Sequence, residues 1–242
     1  MKADFNFIEN NSKGKDISAF INLMAYPCFP DISSFIIQQN ININYQDNNG
    51  RTALIHLIKN KNNIMKIYEN IYNEAFNNLI NDKKIDISIR DENGLSPFLL
   101  CLINEYYIDA EKIYKQYSNK FIQEFNFDFL FLFIIKISAN EFNSSFISNI
   151  QNSFKDENVF DFKESNNNRT LLYYYFMFLS DINKDSISTL NSLLEIIQEK
   201  NMKDIYNRNC LFYLFIDFCG DPKKEKDPYE ILDYCIKNKL FN

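Results

Sequence analysis

"NYQDNNGRTALIHLI", Asn44–Ile58, is the stretch that decides the fold. A polar run ends in Gly50, Thr52 follows, and from Leu54 the residues are almost all apolar. Glycine reaches positive φ at no steric cost, and a threonine oxygen can accept from the free N–H groups of a first helical turn. The stretch therefore reads as a tight turn running directly into a helix.

The same reading applies at three further places. "DNNGRTAL" from Asp47, "DENGLSPF" from Asp91, "SNNNRTLL" from Ser165 and "DIYNRNCL" from Asp204 align without gaps. Their first column, Asp47, Asp91, Ser165 and Asp204, holds short side chains that bond to turn backbone. The fourth, Gly50, Gly94, Asn168 and Asn207, holds the residue types that best tolerate positive φ. The sixth, Thr52, Ser96, Thr170 and Asn209, supplies helix N-caps. The eighth, Leu54, Phe98, Leu172 and Leu211, is an apolar anchor in the first helical turn. Pro97 stands at a first helical position, where its missing N–H costs nothing.

The four starts lie 44, 74 and 39 residues apart. The middle interval is about twice the others, which predicts a further repeat with a decayed turn near Asp128, its first helix supplied by "DFLFLFIIKI". Alternating apolar residues precede the turns: Ile41, Ile43, Tyr45; Ile85, Ile87, Ile89; Phe160 and Phe162. That period of two predicts a short extended arm. After each turn come two apolar helical runs; in the first unit a polar break, Lys59–Asn63, separates them, and the second run is Ile64, Ile67, Tyr68, Ile71, Tyr72, Ala75 and Leu79. A turn, a helix, a loop and a longer helix, repeated at this interval, signal an all-α helical solenoid whose units must stack to bury their helices. The predicted repeats are 1–46, 47–90, 91–127, 128–164, 165–203 and 204–242, in one domain. In the first of them "ISAFINLMAYPCF" and "DISSFIIQQN" are the expected paired helices.

"NYQDNNGRTALIHLI" and "RDENGLSPFLLCLI" closely resemble the ankyrin-repeat signature. The departures are specific. The family places a His after the anchoring Leu, where this chain has Ile55, Leu99, Tyr173 and Phe212; His56 comes one position late, so the family's His-to-Thr tie is absent. The family's small Ala between helices is replaced by Leu57, Cys101, Tyr175 and Leu214, which should push the helices apart. The last unit, Arg208–Asn238, is similar to divergent ankyrin units found ahead of WGR and catalytic domains in poly(ADP-ribose) polymerase-like proteins, with Asp227 and Pro228 as N-cap and first residue of its second helix. The transferase's His, Tyr and Glu signature is not recognisable, and the ending "NKLFN" raises the prospect of a longer parent protein.

Composition narrows the function classes. The 242 residues are 46% hydrophobic and include 24 Phe and 15 Tyr, enough for a substantial core despite the many Asn. A net charge of −6 gives no electrostatic footprint for nucleic acid. Five cysteines, no C-x-x-C pair and a single His argue against a disulfide framework or zinc site and for a reducing compartment. No signal-peptide core opens the chain, and the most apolar run, Phe127–Ile137, is about half the length of a membrane helix. The expectation is an intracellular, cytoplasmic protein, with cytoskeletal or nuclear placement as variants, no membrane and no cofactor.

Chemistry is sparse. His56 has no nucleophile or orienting partner in any motif and reads as structural. Gly14, Gly50, Gly94 and Gly220 form no phosphate-binding pattern. The carboxylates of "SFKDENVFDFKE" read as a solvated rim, and the aromatic run Leu171–Leu179 as core. No catalytic, cofactor-binding or metal-binding residue is nominated, and the chain is expected not to be an enzyme. The ankyrin resemblance implies a protein partner met by turn tips and inner helices of a scaffold; the alternatives are a targeting or regulatory region of a longer poly(ADP-ribose) polymerase-like enzyme and a structural subunit of a large cytoskeletal or ciliary assembly. Position by position it selects Asn48, Asn49, Arg51 and Lys59, then Glu92, Asn93, Leu95 and Asn104. It also selects Asn166, Asn167 and Arg169, and finally Tyr206, Arg208 and Asp217. Arg51, Arg169 and Arg208 share the fifth column and are expected to form an edge that receives carboxylates.

Overall fold

The computed structural model describes residues 8–10, 16–18, 20–21, 24, 41–64, 69–139, 141–155, 159–163, 167–178, 184–197, 203–213 and 229–237. It forms two compact units, Met1–Phe121 and Ile122–Asn242. The regular elements among the described residues are helices and one two-stranded antiparallel ribbon.

That ribbon corrects the expected opening of the first unit. β1 (Ile8–Asn10) pairs with β2 (Asp16–Ser18), Ile8 opposite Ser18 and Glu9 opposite Ile17, so the segment expected as a helix begins in a strand. The β-branched Ile8 and Ile17 favour extended backbone, and the pairing gives both strands their hydrogen bonds. Phe20, Ile21 and Met24 just beyond are helical and buried. The second expected helix, "DISSFIIQQN", lies outside the described residues.

In the first unit, α1 (Ala53–Asn60) starts at Thr52, whose side chain accepts from Ile55 N–H. It buries Leu54, Ile55, Leu57 and Ile58 against α2 (Glu69–Asn81) and α3 (Pro97–Ile103). Each such side chain contributes roughly 1.5–3 kcal/mol of burial. The predicted polar break is itself helical: Lys59 and Asn60 end α1, and Lys61–Asn63 form one 3-10 turn. α2 turns Tyr72, Ala75, Phe76, Leu79 and Ile80 inward.

The arms ahead of the turns keep their side-chain alternation but not an extended backbone. Ile41, Ile43, Ile85 and Ile87 are buried, yet Tyr45 N–H bonds Asn42 O (3.2 Å) and Ile85 N–H bonds Asp82 O (3.1 Å). The intervening Asn and Asp residues curl the arms, because Asn42, Asp82 and Asp86 each accept through Oδ1 from the N–H two residues on.

α4 (Tyr107–Ser138) carries a second correction. No turn interrupts the chain at Asp128, which is helical; the break is a kink at Phe121, with φ −123° and ψ 29°, where the two units meet in sequence. In the second unit the residues after the kink continue into α5 (Ser144–Ser153), α6 (Leu171–Phe178), α7 (Lys184–Ile196) and α8 (Tyr229–Lys237). Their core is a phenylalanine cluster: Phe133 stacks on Phe160 at 5.1 Å and meets Phe142 and Phe146 edge-on. α5 packs against α7, where Ser192 Oγ donates to Ser144 Oγ. The aromatic run of α6 is core, with Leu171, Leu172, Tyr173, Tyr175 and Phe176 buried. No helix among the described residues is long and apolar enough to cross a membrane.

Candidate functional site

The three described turns that begin with Asp share one geometry. Oδ1 of Asp47 accepts from Asn49 and Arg51 N–H, that of Asp91 from Asn93 and Leu95, that of Asp204 from Tyr206 and Arg208. The Asp carbonyl accepts from the fourth-column residue, Gly50, Gly94 or Asn207. Those residues, with Asn168 in the remaining turn, have φ of 70°, 75°, 63° and 56°, the left-handed region. A short side chain ending in an acceptor oxygen suits this position because it can fold back on two N–H groups of its own turn.

The second carboxylate oxygen is where the turns diverge. Asp47 Oδ2 lies 2.9 Å from His56 Nε2; a carboxylate only accepts, so Nε2 carries the hydrogen. Tyr213, the same distance along the chain from Asp204, donates its hydroxyl to Asp204 Oδ2 at 2.7 Å. His56 therefore does tie helix to turn, through Asp47 and not through Thr52. In the middle turn this position is the apolar Leu100, and Lys59 from α1 reaches Asp91 Oδ2 at 2.6 Å instead. Sequence reasoning missed this column; the signal was a polar ring recurring nine residues after the turn Asp.

These contacts set the electrostatics. Burial pushes the Asp204 carboxyl up, but hydrogen bonds from Tyr213, Arg208 and two backbone N–H groups outweigh it and hold the carboxyl well below the usual range. Asp91 is likewise lowered, burial being outweighed by Lys59 and by the Leu95 and Asn93 N–H groups. Burial lowers the His56 imidazole despite the Asp47 carboxylate. Cys101 is raised well above the ordinary thiol range by burial, and Cys210 to about 12 for the same leading reason. Both are buried and free, without the thiolate character that reactive cysteines need. Among the described residues no three His, Cys, Asp or Glu side chains converge as a metal site.

The fifth-column arginines are engaged inside the chain. Arg51 lies 3.7 Å from Glu92 and 4.0 Å from Asp91. Arg208 places Nε and Nη2 on Asp204 Oδ2 at 3.0 and 2.8 Å. Arg169 donates to the Tyr213 hydroxyl at 3.0 Å. Asn104 caps α3, its side chain bonding Leu100 O. Asn49 and Asn167 offer carbonyls to the next turn, to Glu92 N–H at 2.8 Å and Ile205 N–H at 3.1 Å. Leu95 is half-buried, whereas Asn48, Glu92, Asn93 and Tyr206 are exposed tips. Asn166, Asp217, Leu214 and the Asp227–Pro228 pair lie outside the described residues.

The stacked tips give a prediction. Gly50 and Gly94 share a positive φ, but a Cβ on Gly50 would meet backbone of Arg90, Asp91 and Glu92 at 3.2–3.3 Å, while one on Gly94 meets nothing. Gly94→Ala should cost about 1–2 kcal/mol, the left-handed penalty alone. Gly50→Ala should cost distinctly more, because the neighbouring turn's backbone must also move. Urea denaturation of the two variants checks the order; equal losses would mean that the turns do not press on one another.

No family model matches the chain. Over 127 residues, half of this chain, it is 35% identical to an ankyrin repeat protein of Acanthamoeba polyphaga mimivirus, and the match spans 15% of that protein's length. Among solved structures it is similar to a chain of the predatory endopeptidase Bd0816 from Bdellovibrio bacteriovorus in complex with immunity protein Bd3460, with 14% identity and a TM-score of 0.48. That likeness covers 84% of this chain and 93% of the other, and is too loose to bear on fold or activity. Neither match supports the expected likeness of the last unit to poly(ADP-ribose) polymerase-like proteins.

Proposed function

We propose that this chain is a non-catalytic protein-binding module of ankyrin type, with repeats opening at the turns near residues 47, 91, 165 and 204 and a partner received at the turn tips. The observation that carries this reading is the stacking of like turns. Glu92 N–H on Asn49 O and Ile205 N–H on Asn167 O fix successive tips to one another, so each pair forms a rigid edge that costs little entropy to present. Along these edges the buried Asp residues are consumed by the turns, and what faces water is Asn48, Glu92, Asn93 and Tyr206. Similarity to an ankyrin repeat protein over half the chain supports the same reading. Among the described residues the polar groups around Asp47, Asp91 and Asp204 are spent on tying turns to helices, which supports a role without catalysis.

Chain 1–242 immobilised in native lysate is expected to retain a protein partner in saturable, stoichiometric amounts. Glu92→Arg with Asn93→Arg, or Tyr206→Ser, should weaken that retention at least tenfold. Retention of nothing above a bare-matrix control would sink the binding-module reading. A partner indifferent to both tip variants would remove the tips from it.

A further inference from the structure

The two stacked pairs of turns show what covers a tip of this kind. The second residue of the covering turn donates its N–H to the carbonyl of the third residue of the covered one, Glu92 to Asn49 and Ile205 to Asn167. In the first unit the covering turn also brings acid: Asp91 and Glu92 lie against Arg51, the fifth-column cation, and Asp91 takes Lys59. The turn at Asp204–Arg208 has the same receiving parts. Its third residue is Tyr206, and among the described residues nothing donates to the Tyr206 carbonyl. Its fifth residue is Arg208, whose guanidinium lies 4.4–5.2 Å from the rings of Tyr206, Tyr213 and Phe212.

This edge is apolar and basic in a protein that is acidic overall. Ile205, Tyr206 and Phe212 are 56%, 62% and 44% exposed. Lys203 is exposed beside them, Arg169 stands behind Tyr213, and the one carboxylate of the turn, Asp204, is buried. Exposed Tyr and Ile around a stacked Arg is the composition of an interface centre rather than of a solvated turn.

We propose that the surface formed by Lys203, Ile205, Tyr206, Arg208 and Phe212 docks an acidic turn of a partner protein. The partner's backbone N–H bonds the Tyr206 carbonyl, its carboxylate meets Arg208 and Lys203, and an apolar side chain covers Ile205 and Phe212. This rests on the binding-module reading and names the chemistry that one of its tips selects.

The test is a displayed library of disulfide-closed turn peptides selected on full chain 1–242, with counter-selection on Ile205→Ser/Tyr206→Ser. Both substituted side chains are more than half exposed, so the variant should fold. The expected yield is peptides with Asp or Glu in the turn that bind the variant at least tenfold more weakly, and that lose at least tenfold when their acids become Asn or Gln. Selection of carboxylate-free or basic peptides, of peptides indifferent to the variant, or of none, overturns the proposal. Sedimentation showing a Tyr206-dependent dimer would assign the face to a second copy and overturn it too. If a native partner is retained by chain 1–242 and equally by the double variant, the binding-module reading stands while this assignment falls.

Discussion

Lys61→Met is expected to destabilise the first unit by about 3–5 kcal/mol, the cost of stranding a buried charge. Asp109 opens α4 with its side chain 2% exposed, and Lys61 Nζ reaches its Oδ2 at 2.7 Å from the 3-10 turn after α1. The same ammonium lies 4.7 Å from the Tyr72 ring centre and 4.6 Å from that of Tyr106, and Tyr72 donates its hydroxyl to Asp109 at 2.8 Å. Burial and the adjacent carboxylate together push the Tyr72 hydroxyl far above its ordinary range, so it stays a donor at any working pH. Without Lys61 the carboxylate keeps, among the described residues, only that one bond in a nearly dry site. Asp109→Ala should cost less, about 1–3 kcal/mol, because Lys61 is 25% exposed and can turn its head to water, leaving the Tyr72 hydroxyl as the unsatisfied group. The double variant Lys61→Met/Asp109→Leu should recover most of the loss, since an apolar pair can replace a buried ion pair. Hydrogen exchange at α2 and α3 amides reads the effect in this unit alone. A loss under 1 kcal/mol for Lys61→Met, or a double variant as weak as the single, would show the pair to be solvated and dispensable.

The sequence disclosed the turns because each of their columns is a local rule. A residue that folds onto its own backbone, one that tolerates positive φ and one that caps a helix are all decided within a few positions, and the structure has Asp47, Asp91 and Asp204 doing the first, and Gly50, Gly94, Asn168 and Asn207 the second. What stayed hidden was decided by partners distant in sequence or by competing local bonds. The arms alternate as a strand does, and their isoleucines are buried accordingly, but Asn42, Asp82 and Asp86 capture nearby N–H groups and curl the backbone. The kink at Phe121 has no Pro or Gly beside it to announce it, so an interval of 74 residues suggested a lost turn at Asp128 instead.

The candidate site was legible as a set of positions and not as a set of contacts. Arg51, Arg169 and Arg208 do share a column, but a single column cannot say whether a guanidinium faces water or the next turn. Asp91, Glu92, Asp204 and Tyr213 answer that within the chain. Tyr206 belongs to the selected tip positions, whereas Ile205 and Phe212 do not, and nothing in the columns themselves tells that both face water. Their 56% and 44% exposure is what makes that edge different from the other two.

Phe133→Ala should remove about 3–5 kcal/mol from the second unit, the range for emptying a buried aromatic site. The helix after the kink is apolar on nearly every side, so periodicity does not distinguish its inner face. The structure does: Phe125, Phe129, Phe133 and Ile137 recur at every fourth position and are all buried, while Phe127 is 56% exposed. Phe133 is 1% exposed and at the centre of the cluster, stacked on Phe160 with planes 3° apart and edge-on to Phe142 and Phe146. Losing it forfeits aromatic pairing worth about 0.5–1.5 kcal/mol per contact as well as apolar burial. Phe160 comes from the arm ahead of the next turn, so the cavity would loosen the arm together with α5. Phe133→Leu keeps most of the volume and should lose clearly less. Phe127→Ala, on the same helix, should fall within about 0.5 kcal/mol of the parent, as exposed substitutions do. Urea denaturation, with hydrogen exchange at α5 and α6 amides, separates the three variants. If Phe133→Ala and Phe127→Ala prove equally mild, the phenylalanine cluster is not what holds the second unit together, and its helices must be held by α5 against α7 instead.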